Sequence, residues 1–257
     1  MSHLDVLLSI VKQLRSDDGC SWDRKQTIES LTPLLIEESY ELVDAIENGC
    51  FSSIKEELGD LLFHIIFISE IASEQGKFAL SDVVTSITKK MITRHPHVFD
   101  RKRITSKTEP LKSWVHTKYK ESQYNLGSIL DDIPHALPAL LMSHKVYKIV
   151  SAVGFDWDTS EGVIEKIYEE ISELKDALAS QDSEKIILEL GDILFSVANL
   201  CAFLGVNGED TLKKANKKFI KRFKYIEDAL KSKGKDIFQS NIKEMDELWN
   251  EAKKSIL

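Results

Sequence analysis

Ile167-Tyr-Glu-Glu-Ile-Ser-Glu-Leu174, followed by Leu188-Glu-Leu-Gly-Asp192, is the stretch on which the fold turns. Glu170 and Glu173 are three residues apart, and so are Glu189 and Asp192. On a helix that spacing makes each pair neighbours on one face. Between the pairs, Ala179-Ser-Gln-Asp-Ser183 predicts a helix–helix turn. Glu170 and Asp192 are equidistant from residue 181, as are Glu173 and Glu189. An antiparallel hairpin therefore brings all four carboxylates to one height. Asp192 opens the run Ile193 to Leu204, apolar on most faces, which predicts a buried helix. Carboxylates crowded beside such a helix repel one another and lose hydration, at roughly several kcal/mol per ion. A hard divalent cation removes that penalty, and Mg²⁺ takes oxygen ligands while keeping waters. A single Glu-x-x-Glu is ordinarily a solvated acidic face. Two levelled pairs beside an apolar helix point away from that reading.

The same pattern occurs earlier. Ile36-Glu-Glu-Ser-Tyr-Glu-Leu42 matches Tyr168 to Leu174, and Glu57-Leu-Gly-Asp-Leu-Leu-Phe63 matches Glu189 to Phe195, both at an offset of 132 residues. Glu38 pairs with Asp60, and Glu41 with Glu57, about Gly49 in the turn Glu47-Asn-Gly-Cys-Phe51. Three further echoes extend the repeat. Gly19-Cys-Ser-Trp-Asp23 corresponds to Gly154-Phe-Asp-Trp-Asp158, where Asp or Ser is expected to cap the next helix. Lys90-x-x-x-Arg94 corresponds to Lys218-x-x-x-Arg222, and Trp114-x-x-x-Lys118 to Trp249-x-x-x-Lys253. No sustained β alternation is present. The prediction is an all-α chain of two tandem, four-helix-bundle-like units. They span residues 1–120 and 131–257, and residues 121–130 form a polar junction.

Composition agrees. The chain has 257 residues, 42% hydrophobic, with only 5 Pro and 11 Gly, which favours helix. The net charge of −8 argues against general nucleic-acid binding. Cys20, Cys50 and Cys201 have no metal-type spacing and read as buried thiols of a reducing cytosol. The N-terminus carries Asp5 and lacks a basic start, so no signal peptide is expected. The longest nearly apolar run, Ile193 to Val206, is 14 residues, short for a membrane span. A cytoplasmic protein without a membrane partner is expected.

The segment Leu212 to Phe223 is basic, with Lys214, Lys218 and Arg222 four apart on one face and Phe219 and Phe223 beside them. A solvated charged face accounts for it equally well. Beside a metal cluster, the cations can neutralise phosphate oxygens. Trp249 offers a base-stacking face, or else fills a core or a dimer interface. His95 and His97 in Arg94-His-Pro-His-Val-Phe99 flank Pro96 and read as a helix stop. No Gly-rich phosphate loop and no Ser/His/Asp arrangement is recognisable.

Taken together, Glu-Glu-x-x-Glu plus Glu-x-x-Asp, the Gly-x-x-Trp-Asp turn and Arg-His-Pro-His-Val-Phe resemble the MazG family of tandem-domain nucleoside triphosphate pyrophosphohydrolases. The resemblance covers essentially the whole chain, with the motifs in order in both halves. It implies an Mg²⁺-dependent enzyme, with Mn²⁺ as a substitute, that cuts an NTP or dNTP to the monophosphate and pyrophosphate. It also implies a homodimer. By motif match, Glu170, Glu173, Glu189 and Asp192 ligate metal in the second unit, as Glu38, Glu41, Glu57 and Asp60 do in the first. Lys166, Glu169, Lys218, Arg222, Trp249 and Lys253 line the nucleotide site, and the basic face adds Lys214. Either Glu169 or Glu170 would take the proton of the attacking water.

The halves are unequal. Lys166 corresponds to Leu34, Asn199 to Phe67 and Lys214 to Ser86, so the second unit is expected to carry most of the hydrolysis. A rival reading is a non-catalytic helical regulator that senses nucleotide or metal and binds a protein partner. The preferred base and sugar are not legible at this level.

Overall fold

Ser2 begins the first helix with a capping box: its hydroxyl accepts the Asp5 N–H at 3.2 Å, and the Asp5 carboxylate accepts the Ser2 N–H at 2.6 Å. From there the first unit runs α1 (His3–Arg15), α2 (Ser21–Lys25), α3 (Thr32–Glu47), α4 (Phe51–Glu74), α5 (Leu80–Arg94) and the single turn α6 (Pro96–Phe99). The second unit runs α7 (Ala139–Ala152), α8 (Ser160–Ser180), α9 (Ser183–Phe203), α10 (Gly208–Ser232) and α11 (Ile242–Ser255). This computed structural model describes residues 2–99 and 127–256. No strand occurs among them. The chain divides into Met1–Lys107 and Thr108–Leu257. Trp114, Lys118 and most of the predicted junction at 121–130 lie outside the described residues.

Each unit is built on a helical hairpin, α3 with α4 and α8 with α9. Both turns use a left-handed residue at the same repeat position. Gly49 has φ 67° and Gln181 has φ 55°. Glycine adopts that region freely, whereas a side chain there costs about 1–2 kcal/mol. The second turn is tighter than Ala179–Ser183 suggested, because α8 continues to Ser180 and α9 starts at Ser183. Asp182 then caps α9 by accepting the Lys185 N–H at 3.1 Å.

In the first unit, α1 crosses α4. Val11, Leu31, Ile66, Phe67 and Ile71 form its core, with Leu34 and Phe63 packed against them. Each fully buried side chain of this size contributes roughly 1.5–3 kcal/mol. Arg15 fastens this core: it makes two 2.7 Å bonds to the Glu74 carboxylate and a third, also 2.7 Å, to the Asp23 carbonyl. Its guanidinium lies 5.3 Å from the Phe67 ring centroid. In the second unit, α9 packs on α8 and α7, while α10 and α11 pair around Ile226, Leu230 and Leu248.

Three expectations are corrected. The apolar run Ile193 to Leu204 is only partly buried in the chain: Leu194, Phe195, Val197 and Leu204 are exposed, at 63, 41, 43 and 58%, and Ile187 and Leu190 before it are exposed too. The reason is packing economy. Small residues on α9 (Ser196, Ala198, Ala202) are buried, leaving the large ones on the open side. By length and composition alone α9 could cross a membrane, with mean hydropathy 1.8. Glu189 and Asp192 interrupt that apolar character near its middle. Second, Cys20 and Cys50 are exposed, because both sit at helix N-caps, of α2 and α4. Third, the Trp-Asp turn does not cap α8, whose N-cap Thr159 makes no side-chain capping bond. The turn folds back on α7 instead. Asp156 accepts from the Tyr147 hydroxyl at 2.7 Å, from the Ser151 hydroxyl, and from the Trp157 N–H at 2.8 Å.

Candidate active site: a carboxylate cavity on the second hairpin

Levelling of the two acidic helices brings together three of the four carboxylates that the spacing predicted. Glu170 and Glu173 on α8 meet Glu189 on α9, each offering an oxygen, and these oxygens all lie within 4.8 Å of one another. Glu170 and Glu189 are 5 and 6% exposed. Asp192 is exposed and stands outside that trio, but it lines the same cavity. The cavity measures about 380 Å³ and is lined by Trp157, Lys166, Glu170, Glu173, Asp192, Phe195, Ser196 and Asn199. That is within the range of small-molecule sites.

The charges are unbalanced in a specific way. Lys166 Nζ lies 2.7 Å from Glu170 Oε1 and 2.9 Å from Glu169 Oε1. These bonds, Glu170 first, push its ammonium pKa up, so Lys166 stays cationic. Glu189 is pushed above the ordinary carboxylate value, by burial first and then by the Glu173 charge, while Lys185 pulls it back. Its Oε2 is buried with no hydrogen-bond partner. An orphaned carboxylate oxygen beside two more carboxylates fits a hard divalent cation, which supplies the missing contact. Asn199 is also 5% exposed, and its Oδ1 lacks a partner. Leaving such a group unsatisfied costs about 1–3 kcal/mol.

Not every sequence-predicted residue arrives here. Glu169 is exposed and engages Lys166 from outside the lining. Lys214, Lys218, Arg222, Trp249 and Lys253 do not line the cavity. Arg222 instead donates to the Ile256 carbonyl, from Nε at 3.2 Å and Nη2 at 2.9 Å. Trp249 packs on the Ile226–Leu230–Leu248 core, 5.0 Å from the Phe219 ring, with Arg222 and Lys253 at 5.9 and 6.0 Å. Trp157, Phe195, Ser196 and Lys185 were missed from the sequence, and Asn199 was noted there only as the counterpart of Phe67. The signal was available on α9: 192, 196 and 199 follow a helical face. Trp157 is delivered by the fold-back of its turn, which spacing alone does not encode.

In the first unit, Glu38, Glu41 and Glu57 also bring oxygens within 4.8 Å of one another. Glu57 is pushed up by burial first and then by Glu41, Asp60, Glu38 and Glu56. Asp60 is exposed. His64 Nε2 lies 3.7 Å from Glu38. Where the second unit has Lys166 and Asn199, the first has Leu34 and Phe67, both part of its apolar core. Lys90 lines a separate groove with Phe78, Asp82 and Ser86. His95 closes α5, its Nδ1 2.8 Å from the Met91 carbonyl, and α6 starts at Pro96. The His97 side chain lies outside the described residues.

Fold and site together define an all-α protein that gathers carboxylates on a helical hairpin to hold a divalent cation. The sequence profile of the MazG nucleotide pyrophosphohydrolase domain matches twice, at residues 26–99 and 158–226, and the chain belongs to this family. It is 44% identical to the Thermotoga maritima nucleoside triphosphate pyrophosphohydrolase/pyrophosphatase MazG, over 97% of this chain and 95% of that one. It is 39% identical to the nucleoside triphosphate pyrophosphohydrolase of Escherichia coli K12, over 99% of this chain and 98% of the relative. It is 38% identical to Bacillus subtilis YabN over 96% of this chain, matching 51% of that longer protein.

Proposed function

We propose that this chain is a nucleoside triphosphate pyrophosphohydrolase, splitting an NTP or dNTP between the α- and β-phosphates into the monophosphate and pyrophosphate. The observation that carries the reading is the convergence of Glu170, Glu173 and Glu189 within 4.8 Å beside the Lys166 ammonium. Glu170, Glu173 and Glu189 would hold Mg²⁺, or Mn²⁺ in its place, with Asp192 alongside. The bound cation supplies Lewis-acid polarisation of phosphate oxygens and an activated water. The chain's own residues do the rest. Lys166 neutralises phosphate charge that the carboxylates would otherwise repel. Glu170, nearly enclosed, and Glu169, exposed, are the carboxylates within reach of Lys166, and either would take the water's proton. Lys214, Lys218, Arg222, Trp249 and Lys253 stand outside this lining, and Lys218→Met in the same assay reads the share of Lys218.

The test is direct. Pure protein is incubated with NTPs and Mg²⁺ and the products are resolved. Monophosphate plus pyrophosphate is expected, and diphosphate plus orthophosphate overturns the assignment. Tight nucleotide binding without turnover in Mg²⁺ and Mn²⁺ supports the rival regulator.

The assembly we propose is a homodimer through α9. Ile187, Leu190, Leu194, Val197, Cys201 and Leu204 recur at alternating steps of three and four, the seam of a helix pair. Those that are most exposed need a cover, and a second copy supplies the same stripe. A cytoplasmic setting follows from the substrate class and is compatible with three free cysteines. Cell fractionation tests it.

A further inference from the structure

The cavity of the second unit is lined by charged and neutral groups. Lys166, Glu170, Glu173 and Asp192 are the charged ones. Phe195, Ser196, Asn199 and Trp157 complete the lining with neutral polar and aromatic groups. Along α9, Ser196 is one turn beyond Asp192 and Asn199 nearly two, roughly 10 Å at 1.5 Å per residue. A nucleoside extending along α9 from a metal-held phosphate chain would meet both. Asn199 is 5% exposed and its Oδ1 has no hydrogen-bond partner. The equivalent helix position in the first unit is Phe67, 1% exposed, so this site accepts an apolar side chain readily. An unsatisfied amide kept where an apolar group packs well is matched to a ligand.

Trp157 is built in on three sides. Its ring stacks on Tyr147 with centroids 6.4 Å apart at 14°. Gly162 lies so close that a Cβ there would stand 3.2 Å from Trp157 Cδ1. Asp156 ties the turn to α7 through Tyr147 and Ser151. The first unit has Lys12 and Ser21 where this clasp has Tyr147 and Asp156, and its Trp22 is 58% exposed.

We propose that Trp157, Ser196 and Asn199 form the nucleoside subsite of this cavity, with Asn199 the residue that discriminates among nucleosides. The proposal rests on the phosphohydrolase reading above. Trp157 packs against the nucleoside by its ring face, which tolerates any base. Asn199 offers both a donor and an acceptor, so it reads hydrogen-bonding groups on the nucleoside, whether sugar hydroxyls or the base edge.

The experiment uses the full chain with Asn199→Leu, Asn199→Ser and Trp157→Leu. Each is assayed on ATP, GTP, CTP, UTP and dATP, with inorganic tripolyphosphate as competitor. For Asn199→Leu, KM for the best nucleotide should rise about tenfold, the worth of one hydrogen bond. The spread of kcat/KM among nucleotides should narrow, while the tripolyphosphate Ki stays within about twofold, since that ligand lacks a nucleoside. A change confined to the ATP/dATP ratio assigns the contact to the sugar, and a change across bases assigns it to the base. KM and tripolyphosphate Ki moving together, or neither moving, overturns the subsite. A uniform rise across all five nucleotides overturns the discriminating role. Asn199→Ser, which keeps a polar group, should recover part of the loss. A wild-type chain that releases no pyrophosphate overturns the function instead. Calorimetric affinity for a non-hydrolysable ATP analogue, wild type against Asn199→Leu, still decides the subsite in that case.

Discussion

Glu57→Gln and Glu189→Gln are a matched pair of perturbations, because the two residues occupy the same repeat position at an offset of 132. Gln keeps the side-chain volume and removes one charge from each carboxylate cluster. Neither change should weaken the metal-free fold, since both carboxyls are already held above their ordinary range by burial and neighbouring charge. What differs is the cation at the site. The second unit has Lys166 2.7 Å from Glu170, where the first has Leu34 packed in its core. One charge-assisted contact to phosphate is worth about 1.5–3 kcal/mol, or about one to two powers of ten in rate. Lys214 does not line the cavity, so only Lys166 enters this estimate. The first unit should therefore supply no more than about a tenth of total turnover. Pyrophosphate release at saturating NTP and Mg²⁺ is the assay, with helicity checked by circular dichroism. Glu57→Gln should keep about nine-tenths of the wild-type rate, and Glu189→Gln should fall to a residue of about a tenth to a hundredth. The double variant should lose that residue. If Glu57→Gln is the more damaging change, activity has been assigned to the wrong unit.

Three further outcomes are expected. Because the Glu189 carboxyl is raised above its ordinary value of 4.5 in the fold, the folded chain binds that proton more tightly than the unfolded one. Its contribution to stability is thus full at low pH and declines as pH rises through 4.5 toward the raised value. In EDTA the melting temperature should fall across that window, Mg²⁺ should restore it at neutral pH, and Glu189→Gln should flatten both responses in a thermal-shift scan. A Mg²⁺ response of full size in the variant would contradict the ligand assignment. Gln181→Gly relieves a left-handed side chain and should stabilise the second unit by about 1 kcal/mol in urea unfolding; a loss of stability would show that the turn is not strained. Leu194→Glu places a charge on the open face of α9; if α9 carries the proposed homodimer, sedimentation should report a dimer for the wild type and a monomer for the variant.

Much of this was legible in the chain because helical geometry is local. Glu-x-x-Glu and Glu-x-x-Asp about a short turn dictate a levelled hairpin whatever surrounds it. Glu170, Glu173 and Glu189 met as their numbering required, and the repeat placed Glu38, Glu41 and Glu57 in the same relation. The exchange of Lys166 for Leu34 was equally visible, since it concerns only residue identity at equivalent positions. The basic helix was harder. Lys214, Lys218 and Arg222 share a face by spacing, but spacing does not say what that face meets. Arg222 turns to the Ile256 carbonyl, and Trp249 to the Ile226–Leu230–Leu248 core.

What only the tertiary structure decided is therefore what comes together from distant segments. Trp157 reaches the cavity because Asp156, Tyr147 and Ser151 fold its turn onto α7, a contact between residues that no helical period links. Asn199 is buried on α9 with its Oδ1 unpartnered, a state set by what packs around it rather than by its place in the helical period. The large apolar residues of α9 face outward because its small ones are the ones buried. Sequence by itself determined the helices, their hairpins, the duplication and the carboxylates, all set by interactions within a few residues along the chain. Long-range packing chose which remaining side chains share the cavity with those carboxylates, because that choice depends on which helix faces bury the most surface against one another.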